Sequence, residues 1–206
     1  MYIFDGQLTN AIYMVWAGAA FDFLDGMAAR LVKAQSAIGK ELDSLADMVT
    51  FGALPGFFLY HLILEHSNQL AYAGLLVIVF SAIRLAKFNV DTRQSEYFIG
   101  LPTPAHTLFV TSLPFLGEIE GFAFALQPTF LVIAAVAGSL LMVSELPLLS
   151  LKFKNFKWAD NRFRWILVVA ALAMLLVLGL QALSLVVILY IFISLLWNLI
   201  DKPVVN

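Results

Sequence analysis

Seven apolar stretches follow one another along this chain, and the polar connections between them are short. They run over about 8–29, 40–62, 69–88, 104–117, 124–147, 164–180 and 183–200. A helix needs roughly 20 apolar residues to cross the hydrocarbon core. In lipid a backbone must satisfy its own hydrogen bonds, so such stretches fold as helices packed side by side. The alternation that builds an outer-membrane barrel is absent from the sequence. With 62% hydrophobic residues, a mean hydropathy of +0.91 and 13% charged residues, the composition lies far from that of a soluble domain. The predicted fold is an all-α, polytopic membrane bundle of about seven spans, one membrane domain over residues 1–206. The fourth stretch is short for a span, which implies tilt or an earlier start.

A net charge of −2 removes the bulk electrostatic case for a nucleic-acid partner. Cysteine is absent, which excludes disulfides and thiol catalysis. The opening MYIFDGQLTN has no positive n-region and does not read as a secretory signal. Threading the chain back and forth puts all 12 Lys and Arg residues on one side. Glu65, Glu118 and Glu120 fall on the other. The positive-inside rule makes the basic side cytoplasmic, with the N-terminus outside, the C-terminus inside, and the inner membrane as the expected location. The basic run KFKNFKWADNRFR, from Lys152 to Arg164, anchors that topology and attracts anionic lipid.

Against this apolar background stand Asp22, Asp25, Asp43 and Asp47. Ionisable groups in membrane segments are costly and mark function. Asp22 and Asp25 are three apart, Asp43 and Asp47 four apart, so each pair shares one face of its helix. The loop between them is short, which makes the two helices antiparallel neighbours whose acidic faces meet. All four lie near the cytoplasmic ends of their spans. Convergent carboxylates suit hard cations such as Mg²⁺ or Mn²⁺, and two ions can share such a site in phosphoryl chemistry. Gly26, Ala28 and Ala29 clear the helix surface, Gly39 lies on the face of Asp43, and Arg30 suits a phosphate oxygen. Glycine and alanine also pack membrane helices with no ligand at all, but packing does not account for four aspartates.

The order D-x2-D-G-x2-A-R-x8-G-x3-D-x3-D resembles the signature of the CDP-alcohol phosphotransferase family. It is matched at Asp22, Asp25, Gly26, Ala29, Arg30, Gly39, Asp43 and Asp47, so residues 22–47 are identified as the catalytic motif. The resemblance implies transfer of a substituted phosphate from a CDP-linked donor to an alcohol, with release of CMP. It implies that Asp22, Asp25 and Asp43 are metal ligands. Asp47 would complete the metal site and act as general base. Asp22, Asp25, Gly26, Ala29, Arg30 and Gly39 would frame the CDP moiety. It also implies a homodimer, and one further span ahead of the motif helix.

The phrases GKELDSLADMVTFGALPG, RLAKFNV, FIGLPTPAHTL and SELPLLSLKFK resemble the integral-membrane phosphatidylserine synthases of bacteria. They imply CDP-diacylglycerol, a membrane lipid, as donor and L-serine as acceptor. A zwitterionic acceptor needs a cation for its carboxylate, and Arg84, Lys87 and Arg93 lie at the cytoplasmic end of the third stretch. Asn89 and Thr103 are further polar candidates. Gly100, Pro102 and Pro104 form a stiff turn into the fourth stretch. His106 reads as a packing or capping residue, and Glu145 as a partner for a basic loop residue. Two other functions fit the residues less well. One is the same chemistry on glycerol 3-phosphate or an inositol phosphate, which asks for a denser basic pocket. The other is divalent-cation transport, which commonly builds on internal repeats and midplane sites; the sequence shows no repeat.

Overall fold

The computed structural model describes residues 2–32, 36–91, 97–151, 153, 155 and 157–201 of the chain. The apolar stretches are helical. They form α1 (Leu8–Leu31), a continuous rod made of α2 (Ala37–Asp47), a π-helical turn (Met48–Ala53) and α3 (Leu54–Leu64), then α4 (Asn68–Val90), α5 (Thr103–Gly117), α6 (Pro128–Val143), α7 (Trp158–Leu178) and α8 (Ala182–Asp201). Among the described residues, three helical stretches are long and apolar enough to cross a membrane: Ala37–Leu64, Asn68–Val90, and Asp160–Asp201, which is bent at Gly179–Gln181. Pro128–Val143 is apolar but shorter. The chain is an all-α integral membrane protein.

Three boundaries differ from the sequence expectation by more than three residues, one being the start of α7, at Trp158 rather than 164. The stretch expected over 124–147 is helical only from Pro128 to Val143. A 3₁₀ turn (Ala123–Leu126) precedes it, and a strand, β2 (Pro147–Leu149), follows. That strand pairs antiparallel with β1 (Tyr97–Ile99), Phe98 opposite Leu148. The anticipated stiff turn after β1 is present. Gly100 has φ +75°, and a Cβ there would lie 2.5 Å from the Met142 carbonyl oxygen. Only glycine tolerates both the dihedral and the approach. Pro102 caps α5, and Pro104 occupies its first turn, where a missing N–H costs nothing.

The rod 37–64 crosses α4 at very short range. A Cβ on Gly74 would lie 2.4 Å from the Tyr60 amide nitrogen, and one on Gly56 would lie 2.5 Å from Ile78 Cγ1. Small residues let membrane helices close in this way, where van der Waals contact replaces the hydrophobic effect. Phe58, Leu59 and Ile63 of α3 then meet Val77, Val110, Leu113, Leu131 and Met142 in the main core. Thr103, Thr107, Thr111, Ser112 and Ser139 are buried polar groups in the same region. Three of them lean on helix carbonyls: Thr107 Oγ1 donates to Thr103 O at 2.9 Å, Thr111 Oγ1 to Thr107 O at 2.7 Å and Ser112 Oγ to Leu108 O at 2.5 Å. Trp16 of α1 donates from Nε1 to Thr111 Oγ1 at 2.9 Å, which fixes α1 against α5. Ser112 and Ser184 join α5 to α8 at 2.7 Å.

Interhelical contacts sort the connections onto two ends, as the back-and-forth threading requires. Asn89 Nδ2 donates to Ser44 Oγ at 2.9 Å, uniting the end of α4 with α2. Lys87 pairs with Glu145 at 3.2 Å, uniting the ends of α4 and α6. Arg162 pairs with Asp201, uniting the start of α7 with the end of α8. At the opposite end Glu65 and His66 share a cavity wall with Ala123, Gln127 and Pro128. Every described Lys and Arg with a described side chain belongs to the first end or its helix termini. Lys33, Arg93, Lys152, Lys154 and Lys202, and the side chain of Arg30, lie outside the described residues.

Candidate active site

The motif lies on the last turns of α1 and on α2. Ser36 starts α2 as an N-cap, its Oγ accepting from Gly39 N at 3.0 Å. A Cβ on Gly39 would come within 3.0 Å of that hydroxyl, so Gly39 also has a capping reason to be small. Asn89 holds the middle of α2 through Ser44. Gly18, one turn before Asp22, lets α1 approach the π-helical turn; a Cβ there would be 3.3 Å from Thr50 Cγ2.

The two helices bring the carboxylates together. Oxygens of Asp22, Asp25 and Asp43 all lie within 4.8 Å of one another. Asp47, half-buried one turn below Asp43, comes within hydrogen-bonding reach of Asp22. Like charges at this separation repel by on the order of 3 kcal/mol per pair at an effective dielectric of about 20. A cation held between the two helices would relieve that repulsion. An all-oxygen donor set is the one Mg²⁺ and Mn²⁺ take, so the residues present fit a divalent ion. Asp25 and Asp43 are exposed, and the surrounding surface is apolar: Phe21, Phe23 and Leu24 on α1, Ile38, Leu42 and Leu45 on α2 all stand clear of the protein. The acidic cluster therefore opens between two lipid-facing surfaces.

The acceptor candidates divide. Arg84 is 4% exposed, with its guanidinium 5.3 Å over the Phe88 ring. Arg84 and Lys87 line a cavity of about 240 Å³ with Asp91, Ile99, Met142, Ser144 and Glu145. Glu145 pairs with Lys87, on the last turn of α4. Arg93 lies outside the described residues. Asn89 is engaged with Ser44, and Thr103 is buried at the start of α5. His106 is fully buried against Gly138, whose absent side chain makes room for the ring; it is a packing residue.

Sequence reasoning did not foresee Ser81, Thr107 or the acidic half of the cavity. Pro55, inside an otherwise unbroken helical stretch, was the available signal for the first two. The third depends on where α6 ends relative to α4, which no local pattern encodes.

Comparison with known proteins carries the geometry to an identity. The profile of the CDP-alcohol phosphatidyltransferase family matches residues 1–148. The CDP-diacylglycerol–serine O-phosphatidyltransferase of Helicobacter pylori is 36% identical over 192 residues, covering 90% of this chain and 78% of its own length. The Bacillus subtilis protein of the same name is 36% identical over 155 residues, 73% of this chain and 78% of its own length. The archaetidylserine synthase of Methanothermobacter thermautotrophicus is 31% identical over 144 residues, 69% of this chain and 59% of its own length. The matched region holds the four converging aspartates and the helices that carry them, and this chain belongs to the CDP-alcohol phosphatidyltransferase family.

Proposed function

We propose that the protein transfers the phosphatidyl group of CDP-diacylglycerol to L-serine, giving phosphatidylserine and CMP. The convergence of Asp22, Asp25 and Asp43, with Asp47 beside them, carries the chemistry. The names of the relatives carry the acceptor, and speak against glycerol 3-phosphate, an inositol phosphate or cation transport as the alternative. Asp22, Asp25 and Asp43, with Asp47, hold one or two Mg²⁺ or Mn²⁺ ions. Bound there, the metal neutralises the pyrophosphate and the charge that develops in transfer. Asp47 takes the proton of the serine hydroxyl. The serine oxygen attacks the diacylglycerol-linked phosphorus, the bond to the CMP oxygen breaks, and CMP leaves with that electron pair. No protein nucleophile is needed.

Gly26, Ala29, Arg30 and Gly39 frame the CDP moiety, together with Asp22 and Asp25. The acyl chains stay in the bilayer against the apolar surfaces of α1 and α2. The cavity beside Met142 receives serine, whose carboxylate pairs with Arg84 and Lys87, with Arg93 as a further candidate cation. Asp91 and Glu145 supply the acidic half that an ammonium group requires. The site faces the cytoplasm of the inner membrane, on the basic side, and two copies form a homodimer. The experiment is incorporation of labelled serine into lipid by the wild type and by Asp47→Asn. Wild-type incorporation with loss in the variant is expected; substantial incorporation by Asp47→Asn would remove that residue from the role of base.

A further inference from the structure

Residues 37–64 run as one rod but not in one register. Pro55 sits one residue into α3. In an α-helix the carbonyl of Phe51 would accept from residue 55, which has no N–H, and the proline ring would press on that carbonyl. The rod widens instead. Met48–Ala53 is π-helical, and Leu54 N donates to Val49 O, five residues back. The Phe51 carbonyl faces hydroxyls from two other helices, Thr107 Oγ1 of α5 at 3.2 Å and Ser81 Oγ of α4 at 3.4 Å. Thr107 shares its proton with Thr103 O at 2.9 Å, and Ser81 with Met142 Sδ at 3.7 Å. Both side chains are buried. Where no water reaches, a proline in a helix is tolerated because hydroxyls and π adjustments satisfy the freed carbonyl.

The widened turn begins at the residue after Asp47. One extra residue in a turn rotates everything before it by roughly 100° relative to everything after it. Within the turn Gly52 meets Ser81 of α4, and downstream Gly56 and Tyr60 meet Ile78 and Gly74. Upstream, Asp43 and Asp47 meet Asp22 and Asp25 of α1. A uniform α-helix with the same packing on α4 would turn both aspartates away from α1.

We propose that Pro55, Thr107 and Ser81 maintain this π turn and thereby aim Asp43 and Asp47 at the carboxylates of α1. They are positioning residues and touch neither metal nor substrate. The inference rests on the reading of the aspartates as a divalent-metal site. Pro55→Ala separates positioning from fold maintenance, because alanine restores the N–H at 55 and favours a regular helix. A merely structural proline would be replaced without loss.

The test uses the full chain in nanodiscs. It measures Mn²⁺ binding by the loss of the free-ion EPR signal, the unfolding midpoint, and the kcat and KM of serine-dependent CMP release. Pro55→Ala and Thr107→Val are expected to weaken Mn²⁺ binding and lower kcat by about tenfold or more, the scale on which residues supporting metal ligands act. The unfolding midpoint of Pro55→Ala stays level or rises, and the KM for serine is unchanged. Thr107→Ser, which keeps the hydroxyl, restores both losses. Wild-type Mn²⁺ affinity in Pro55→Ala overturns the inference, as does a Thr107→Val defect that Thr107→Ser fails to restore. A wild type that binds Mn²⁺ but does not use serine refutes the acceptor alone. A wild type that binds no Mn²⁺ refutes the metal site and this inference with it.

Discussion

At the scale of single residues, the aspartates divide by position. Asp25 and Asp43 are exposed members of a cluster of three, whereas Asp47 sits a turn deeper beside Asp22. Asp43→Asn removes one ligand charge and should raise the Mn²⁺ concentration needed for half-maximal activity by about tenfold or more, with activity partly recovered at high metal. Asp47→Asn should not recover, because an amide cannot take the hydroxyl proton; a metal titration of both variants distinguishes them. A different residue-level constraint holds His106. A Cβ on Gly138 would stand 2.1 Å from His106 Nε2, with no room for the ring to retreat inside a packed core. Gly138→Ala should therefore destabilise the fold by about 1–3 kcal/mol, visible as a lower unfolding midpoint. Much of the acidic site was legible because side-chain spacing on a helix is a local property, so i, i+3 and i, i+4 pairs of Asp declare a shared face. Gly138 was not legible: nothing around it in sequence says which ring it admits.

At the scale of elements, the crossing of α3 and α4 brings backbone against backbone. Gly74 lies against the Tyr60 backbone, which cannot yield as a side chain can. Gly74→Leu should force the helices apart and lower the unfolding midpoint more than the same change at Gly121, where a Cβ meets nothing within 4 Å. Gly121 has φ +86° and carries its own backbone strain, which makes the comparison a stringent one. The helices themselves were readable from apolar length, and five of the seven stretches lie within about three residues of the expected limits at both ends. The sixteen-residue α6 was not. Its apolar sequence continues past Val143, but Ser144 leaves the α region at ψ 156°, and Pro147 opens a strand whose partner lies some fifty residues earlier. Pairing between distant segments ends that helix, and no composition rule reports it.

At the scale of the molecule, the first turns of α2, the ends of α4, α6 and α8 and the start of α7 gather on one side, the side that carries the described basic residues. The absence of native cysteine makes orientation directly measurable. Asn155→Cys should react with an impermeant maleimide only when the cytoplasmic face is opened. Glu120→Cys should react from outside in intact cells, and the reverse pattern would invert the topology. The threading expectation comes from sequence alone because charge bias acts on whole connections and needs no contact information. The polar threads that register the helices were not, since Trp16 meets Thr111 and Ser112 meets Ser184 only after folding. All of these features serve one claim, that carboxylates at the cytoplasmic end of two helices transfer a lipid phosphate to serine. The most direct test is CMP release from CDP-diacylglycerol by the purified protein with Mn²⁺ or Mg²⁺, with and without L-serine. Metal-dependent release that requires serine, and stops on chelation, is the predicted result. Release driven by glycerol 3-phosphate or an inositol phosphate and indifferent to serine would contradict it.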